Sequence, residues 1–148
     1  MNAGRLAVAR AEIALHAESP EAAAEWAERS LEVARRTLRR KYEARALTLL
    51  GQALARLRRR DEALAALKAA VTIADDLVGP PARWQTRAAL GATAYALGDD
   101  ESAAAAYDEA AGLVDSFAAT LAPERAATVM GSPTVTEILS AVGRSTVA

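Results

Sequence analysis

Few residues in this chain are equipped for chemistry. There is one histidine, His16, and no cysteine. An H-E-x-x-H zinc site, a thiolate metal site and a disulfide are therefore excluded, and a Ser-His-Asp triad would rest on that one imidazole. Glu12 stands one helical turn before His16, a spacing that makes surface neighbours and usually a structural pair. Asp75-Asp76 and Asp99-Asp100 are adjacent carboxylates, but consecutive residues on a helix point in different directions and cannot share a metal or a proton. A phosphate-binding G-x-x-x-x-G-K-[ST] loop is absent, since neither lysine, Lys41 or Lys68, follows a glycine. The expectation is no catalytic residue, no cofactor and no metal, hence no enzyme.

Arginine is the remaining reactive-looking feature. Basic runs stand at "RRTLRRK" (35–41) and "RLRRR" (56–60). At helix C-termini such charge complements the macrodipole and is ordinarily solvated. The alternative is a basic rim on two neighbouring turns that holds an acidic peptide or a phosphate. A nucleic-acid groove would interleave aromatics with the basic residues, and only Tyr42 is near, so nucleic acid is an unlikely partner. Arg45, Gln52 and Arg56, spaced seven and four apart, share one helix face.

The elements that must hold these side chains are helices. No period-two strand pattern occurs, and helices are expected near residues 4–17, 20–38, 41–58, 62–78, 82–97, 101–121, 124–130 and 134–142. Pro20, Pro123 and Pro133 fit first helical turns, while "VGPPARW" (78–84) interrupts the helical run. Ser19, Asp61 and Asp99/Asp100 are placed for N-caps. The last residues, "GRSTVA", are expected to fray. Of 148 residues, 40 are alanine, so close helix contact is the available way to pack. A net charge of −1 makes no electrostatic magnet for nucleic acid, and no 18-residue uncharged apolar stretch is present to cross a membrane. A cytoplasmic protein is expected.

Sliding the sequence by 40 residues superposes Ala11, Gly51 and Gly91, then Ala23, Ala63 and Ala103, and then Ala27, Leu67 and Tyr107. Glycine in mid-helix costs about 1 kcal/mol relative to alanine. Gly51 facing Ala63, and Gly91 facing Ala103, would let the two helices of a hairpin approach closely. These columns resemble the tetratricopeptide repeat. The second unit matches through Leu47, Leu50, Gly51, Leu54, Ala63, Leu67 and Ala70. The third matches through Leu90, Gly91, Ala103, Tyr107 and Ala110, with Ala94 where a large residue is usual. The first is degenerate, and the 40-residue period exceeds the usual 34. A weaker likeness covers the end: Ala118, Leu121, Arg125, Pro133, Val135 and Leu139 look like the close of the helical-repeat region in large bacterial signalling ATPase and transcriptional regulator proteins.

The resemblance implies an all-α fold of antiparallel helix-hairpin repeats in a right-handed superhelix. Three repeats (4–40, 41–80 and 81–120) and capping helices (121–143) would make one domain over 1–148. Leu121, Val129, Met130, Val135, Ile138 and Leu139 would cover the last repeat. It also implies a concave, peptide-binding groove lined by Arg5, Glu12, His16, Arg45, Thr48, Gln52, Arg56, Gln85 and Tyr95. Trp26 and Trp84 are expected to pack rather than bind. The expected function is a non-catalytic scaffold for a protein or peptide, an acidic one among the candidates. The alternative is a self-associating or regulatory domain, in the form of a C-terminal fragment, of a bacterial signalling regulator, with a homodimer as its assembly. An open apolar face on the helix at 4–17 would favour self-association.

Overall fold

The computed structural model describes residues 3–144, and among these every regular element is an α-helix. In order they are α1 (Ala3–His16), α2 (Pro20–Arg36), α3 (Arg40–Arg56), α4 (Arg60–Asp75), α5 (Pro81–Ala96), α6 (Asp100–Ala118), α7 (Pro123–Met130) and α8 (Pro133–Ala141). The described chain separates into two compact units, one ending at Leu77 and the other starting at Val78. Each has its own core.

The turns between helices recur every 20 residues, half the period visible in the sequence. Glu18, Leu38 and Arg58 sit in the left-handed region with φ of 59°, 54° and 62°, and Gly98 with φ of 80°. In each case the next amide reaches back to the carbonyl five residues earlier. Ser19 donates to Ala14 at 2.9 Å, Arg39 to Ala34 at 2.9 Å, Arg59 to Leu54 at 3.0 Å and Asp99 to Ala94 at 2.8 Å. This is the Schellman closure of a helix C-terminus. Three of the four turns use a side-chain-bearing residue where glycine is favoured, at a cost of about 1 kcal/mol or more each. Without glycine at 38 and 58 the sequence does not mark the stop, and α2 ends at Arg36 rather than 38. The period breaks at 76–80, where α4 gives way to a longer link with Gly79 and Pro80.

The expected N-caps hold only in part. Asp99 accepts from the Ser102 amide at 3.1 Å. Ser19 occupies the cap of α2 without a side-chain bond. Arg59, not Asp61, precedes α4, and Asp61 lies in its first turn.

In the first unit α1 pairs with α2 and α3 with α4, while α3 also packs on α2 and α1. Val8, Ala11, Leu15, Ala23, Ala24, Ala27, Leu49 and Ala53 form one cluster, and Leu31, Ala44, Ala46, Leu47, Ala66, Ala70 and Ile73 another. A Cβ on Gly51 would lie 2.5 Å from Leu67 Cγ and 3.0 Å from the Ala63 carbonyl. The glycine therefore makes room for the large residue of the facing helix, and meets Ala63 through its backbone. Gly91 does the same in the second unit, where a Cβ would lie 2.7 Å from the Tyr107 ring.

The second unit pairs α5 with α6, with α7 and α8 laid on α6 and α8 also on α5. Val135, Ile138 and Leu139 of α8 are buried with Trp84, Ala88, Ala110, Ala111 and Val114, and Val129 and Met130 pack beside them. Leu121 is only half-buried. Trp84 meets Phe117 with ring centroids 5.5 Å apart. Gly143, with φ of 77°, closes α8, and Arg144 forks onto Asp115 at 2.8 and 3.2 Å. Of the tail expected to fray, residues 145–148 lie outside the described residues.

Candidate functional site

Seven of the nine candidate binding residues lie on the first helices of the first two hairpins. Arg5, Glu12 and His16 are on α1, and Arg45, Thr48, Gln52 and Arg56 are on α3. The 40-residue shift sets them in columns: Arg5 with Arg45, Glu12 with Gln52, and His16 with Arg56. None is buried. The fold ties the rows together across the α1–α3 contact. The Arg45 guanidinium pairs with the Glu12 carboxylate, and Arg56 Nη1 donates to the Leu15 carbonyl. The second bond adds a charged donor to a Leu15 carbonyl that already accepts from the Glu18 amide at 3.3 Å, and sets a cation on the negative dipole end of α1. Thr48 spends its hydroxyl on the Ala44 carbonyl at 2.9 Å, inside its own helix. Gln52 is half-buried, whereas Arg5 and His16 are exposed. The face presents three guanidiniums and one carboxylate that is already engaged.

Gln85 and Tyr95 lie on α5 in the second unit. Both are exposed, Tyr95 at 69%. Glu12 does not bond to His16 as their spacing suggested, because Arg45 holds it instead.

The arginine runs do not make one rim. The turn at 37–39 precedes α3 and the turn at 57–59 follows it. They stand at opposite ends of a 17-residue helix, about 25 Å apart at 1.5 Å per residue. Much of their charge is used internally. Glu43, buried in the first turn of α3, is held by Arg35 at 3.3 Å and Arg40 at 3.1 Å, and Arg40 also reaches Asp76 at 3.7 Å. Arg59 pairs with Glu62 at 2.6 Å. Arg10 and Arg29 lie over the Trp26 ring at 4.5 and 4.8 Å from its centroid, so Trp26 is a packing post between α1 and α2. Sequence reasoning missed Glu43, although arginines eight and three residues before it were a usable signal.

In the second unit, burial and the neighbouring Glu137 carboxylate push the Tyr107 hydroxyl up to about 12. That hydroxyl donates to Glu137 at 3.5 Å. Arg144 is held protonated beyond its ordinary range by its hydrogen bonds to Asp115. Among the described residues no group of three or more His, Cys, Asp or Glu side chains is arranged to hold a metal. No described helix is long and apolar enough to cross a membrane.

Paired antiparallel helices with small residues at their crossings and polar columns on the first helix of each pair define a helical-repeat scaffold. Residues 3–76, half of the chain, match the tetratricopeptide repeat family, and the chain belongs to it. Members of that family are non-catalytic protein-interaction scaffolds, and the matched segment is almost coextensive with the first unit. The fold is similar to that of a Rap protein in a crystal structure complexed with competence and sporulation factor. That structure has a TM-score of 0.66 at 18% identity, over 90% of this chain and 36% of that one. The likeness is one of fold, and the chain spans little more than a third of that protein. No characterised protein matches the chain significantly in sequence.

Proposed function

We propose that the chain binds a protein or peptide segment along the α1–α3 face of its first unit. The observation that carries this is the polar columns: Arg5/Arg45, Glu12/Gln52 and His16/Arg56 stay accessible in both repeats, while their neighbours on the same helices pack inward. The Arg5/Arg45 column keeps the same residue, while Glu12/Gln52 and His16/Arg56 keep only their polarity. Guanidiniums and an amide in a row can clamp a carboxylate and bond to an extended backbone. The bound segment is acidic, because Arg5, Arg45 and Arg56 outnumber the single carboxylate of Glu12 on this face, and the Arg45–Glu12 pair leaves that excess positive. The Rap protein of similar fold is complexed with competence and sporulation factor, which supports a scaffold that carries a partner. A separate set of proposed contacts, Gln85 and Tyr95, lies on α5 of the second unit.

Selection from a random peptide library on immobilised full chain tests the proposal. Enriched peptides should contain Asp or Glu, and Arg5→Glu with Arg45→Glu should weaken them at least tenfold, about 1.4 kcal/mol. Enriched peptides that bind this double variant as well as the native chain would sink the idea.

A further inference from the structure

The turn between α2 and α3 carries more than a turn needs. Residues 35–41, "RRTLRRK", are all exposed and contain no acid. Leu38 stands at their centre, 83% exposed, with φ of 54°. A leucine there takes the left-handed strain and, being uncovered, recovers none of it through packing. The equivalent turn positions hold Glu18 and Arg58, which water solvates, and Gly98, which is unstrained. Strain kept at an exposed apolar side chain points to a use outside the fold. The cations around Leu38 are not all engaged. Arg35 and Arg40 are held by Glu43, and Arg40 also by Asp76. Arg36, Arg39 and Lys41 have no ion pair among the described residues. Arg39 lies over the Tyr42 ring, 6.0 Å from its centroid, which keeps it beside the tip. Even with Asp75 counted, the five cations of this end face only three carboxylates, Glu43, Asp75 and Asp76. The turn at 57–59 differs, because Asp61 and Glu62 follow it directly and Glu62 holds Arg59.

We infer that the 35–41 turn seats on an anionic lipid surface, with Leu38 entering the headgroup layer and Arg36, Arg39 and Lys41 on the phosphates and carboxylates around it. A peptide ligand is held by a groove or a strand edge, and seven consecutive exposed residues at a helix-to-helix turn form neither. A bilayer interface yields to a convex tip, takes up its apolar side chain and surrounds it with anions. Three cations and one leucine make a weak, salt-sensitive attachment, and surface attachment needs no spanning helix. The turn uses none of Arg5, Arg45 and Arg56, so the inference does not depend on the peptide-binding proposal.

Cosedimentation of the full chain with phosphatidylcholine vesicles containing about 30% phosphatidylserine, at about 0.05 M salt, is the test. The chain should bind these vesicles and not phosphatidylcholine alone, and should be released at about 0.5 M salt, where the surface charge is screened. Arg36→Glu with Lys41→Glu should weaken binding about tenfold or more. Leu38→Gly should weaken it about threefold while the melting temperature rises, so that unfolding cannot account for the loss. Arg58→Gly, the same relief of strain at another turn, should leave binding unchanged. The chain has no native cysteine, so Thr37→Cys gives a single thiol beside the tip. An environment-sensitive fluorophore on it should shift to shorter wavelength on the anionic vesicles, and one on Arg58→Cys should not. No binding at low salt, equal binding to neutral vesicles, or an unshifted fluorophore at 37 would each overturn the inference. A Leu38→Gly chain that binds as well as the native one would make the turn a site for soluble polyanions, and would overturn it too.

Discussion

Through Leu77 the chain carries 14 basic and 11 acidic side chains, and from Val78 onward it carries 4 and 8. The two units use the same hairpin differently. The first stacks two hairpins, builds its turns on Glu18, Leu38 and Arg58 in the left-handed region, and spreads arginine over its ends. The second has one hairpin, a relaxed turn at Gly98, and covers its apolar face with α8. What differs is how each closes its core. The second unit is capped by its own chain, whereas the first leaves Leu6 and Ile13 of α1 exposed. The first unit's accessible polar columns are the ones on which the proposed binding face is built.

The largest effect expected is on the cap. Ile138 is fully buried beneath α5 and α6, and Ile138→Ala should cost about 2–5 kcal/mol. Hydrogen exchange should show the loss in α5–α8 while protection in α1–α4 holds, and equal loss in both would break the division into units. Next come the glycines. Gly51→Ala should cost about 1–3 kcal/mol by overpacking, since Leu67 is fully buried and the Ala63 carbonyl is backbone. Gly91→Ala should cost less, because the half-buried Tyr107 ring can swing outward. Denaturant midpoints that rank the two the other way would refute that reasoning.

The turns give a smaller and opposite pair. Leu38→Gly should stabilise the first unit by about 0.5–1 kcal/mol through relief of the left-handed strain. Gly98→Ala should destabilise the second by about 1 kcal/mol for the same reason. Thermal melts of both check the sign.

The smallest effect is confined to alkali. Unfolded Tyr107 ionises near its ordinary 10.0 and the folded residue only near 12. Its stabilisation is therefore complete below pH 10 and lost as pH rises from about 10 to about 12. Tyrosinate absorbance together with a pH series of melts should show that slope, and Tyr107→Phe should reduce it.

Much of this architecture was legible in the sequence. All eight helices lie near their expected places because prolines and apolar periodicity are local signals. The columns at 51/91 and 67/107 also pointed correctly to the crossings, since volume complementarity repeats with the hairpin. The 20-residue cadence of turns was hidden, because Leu38 and Arg58 do not look like residues that end a helix. Arg45 was visible as a groove candidate, but its bond to Glu12, 33 residues away, was not.

The sequence by itself determined the helices, their pairing into hairpins and the small residues at their crossings, because each of these is encoded within one or two adjacent elements. Tertiary structure alone decided which charges are spent and which apolar residues are covered. The arginine runs separate to opposite ends of α3, where Arg35 and Arg40 turn onto Glu43 and Arg59 onto Glu62. Leu6 and Ile13 stay in solvent while Ala46 and Ala53, the same columns one repeat later, are buried. Whether a side chain has a neighbour depends on what packs from outside its own helix, and nothing within a single repeat records that.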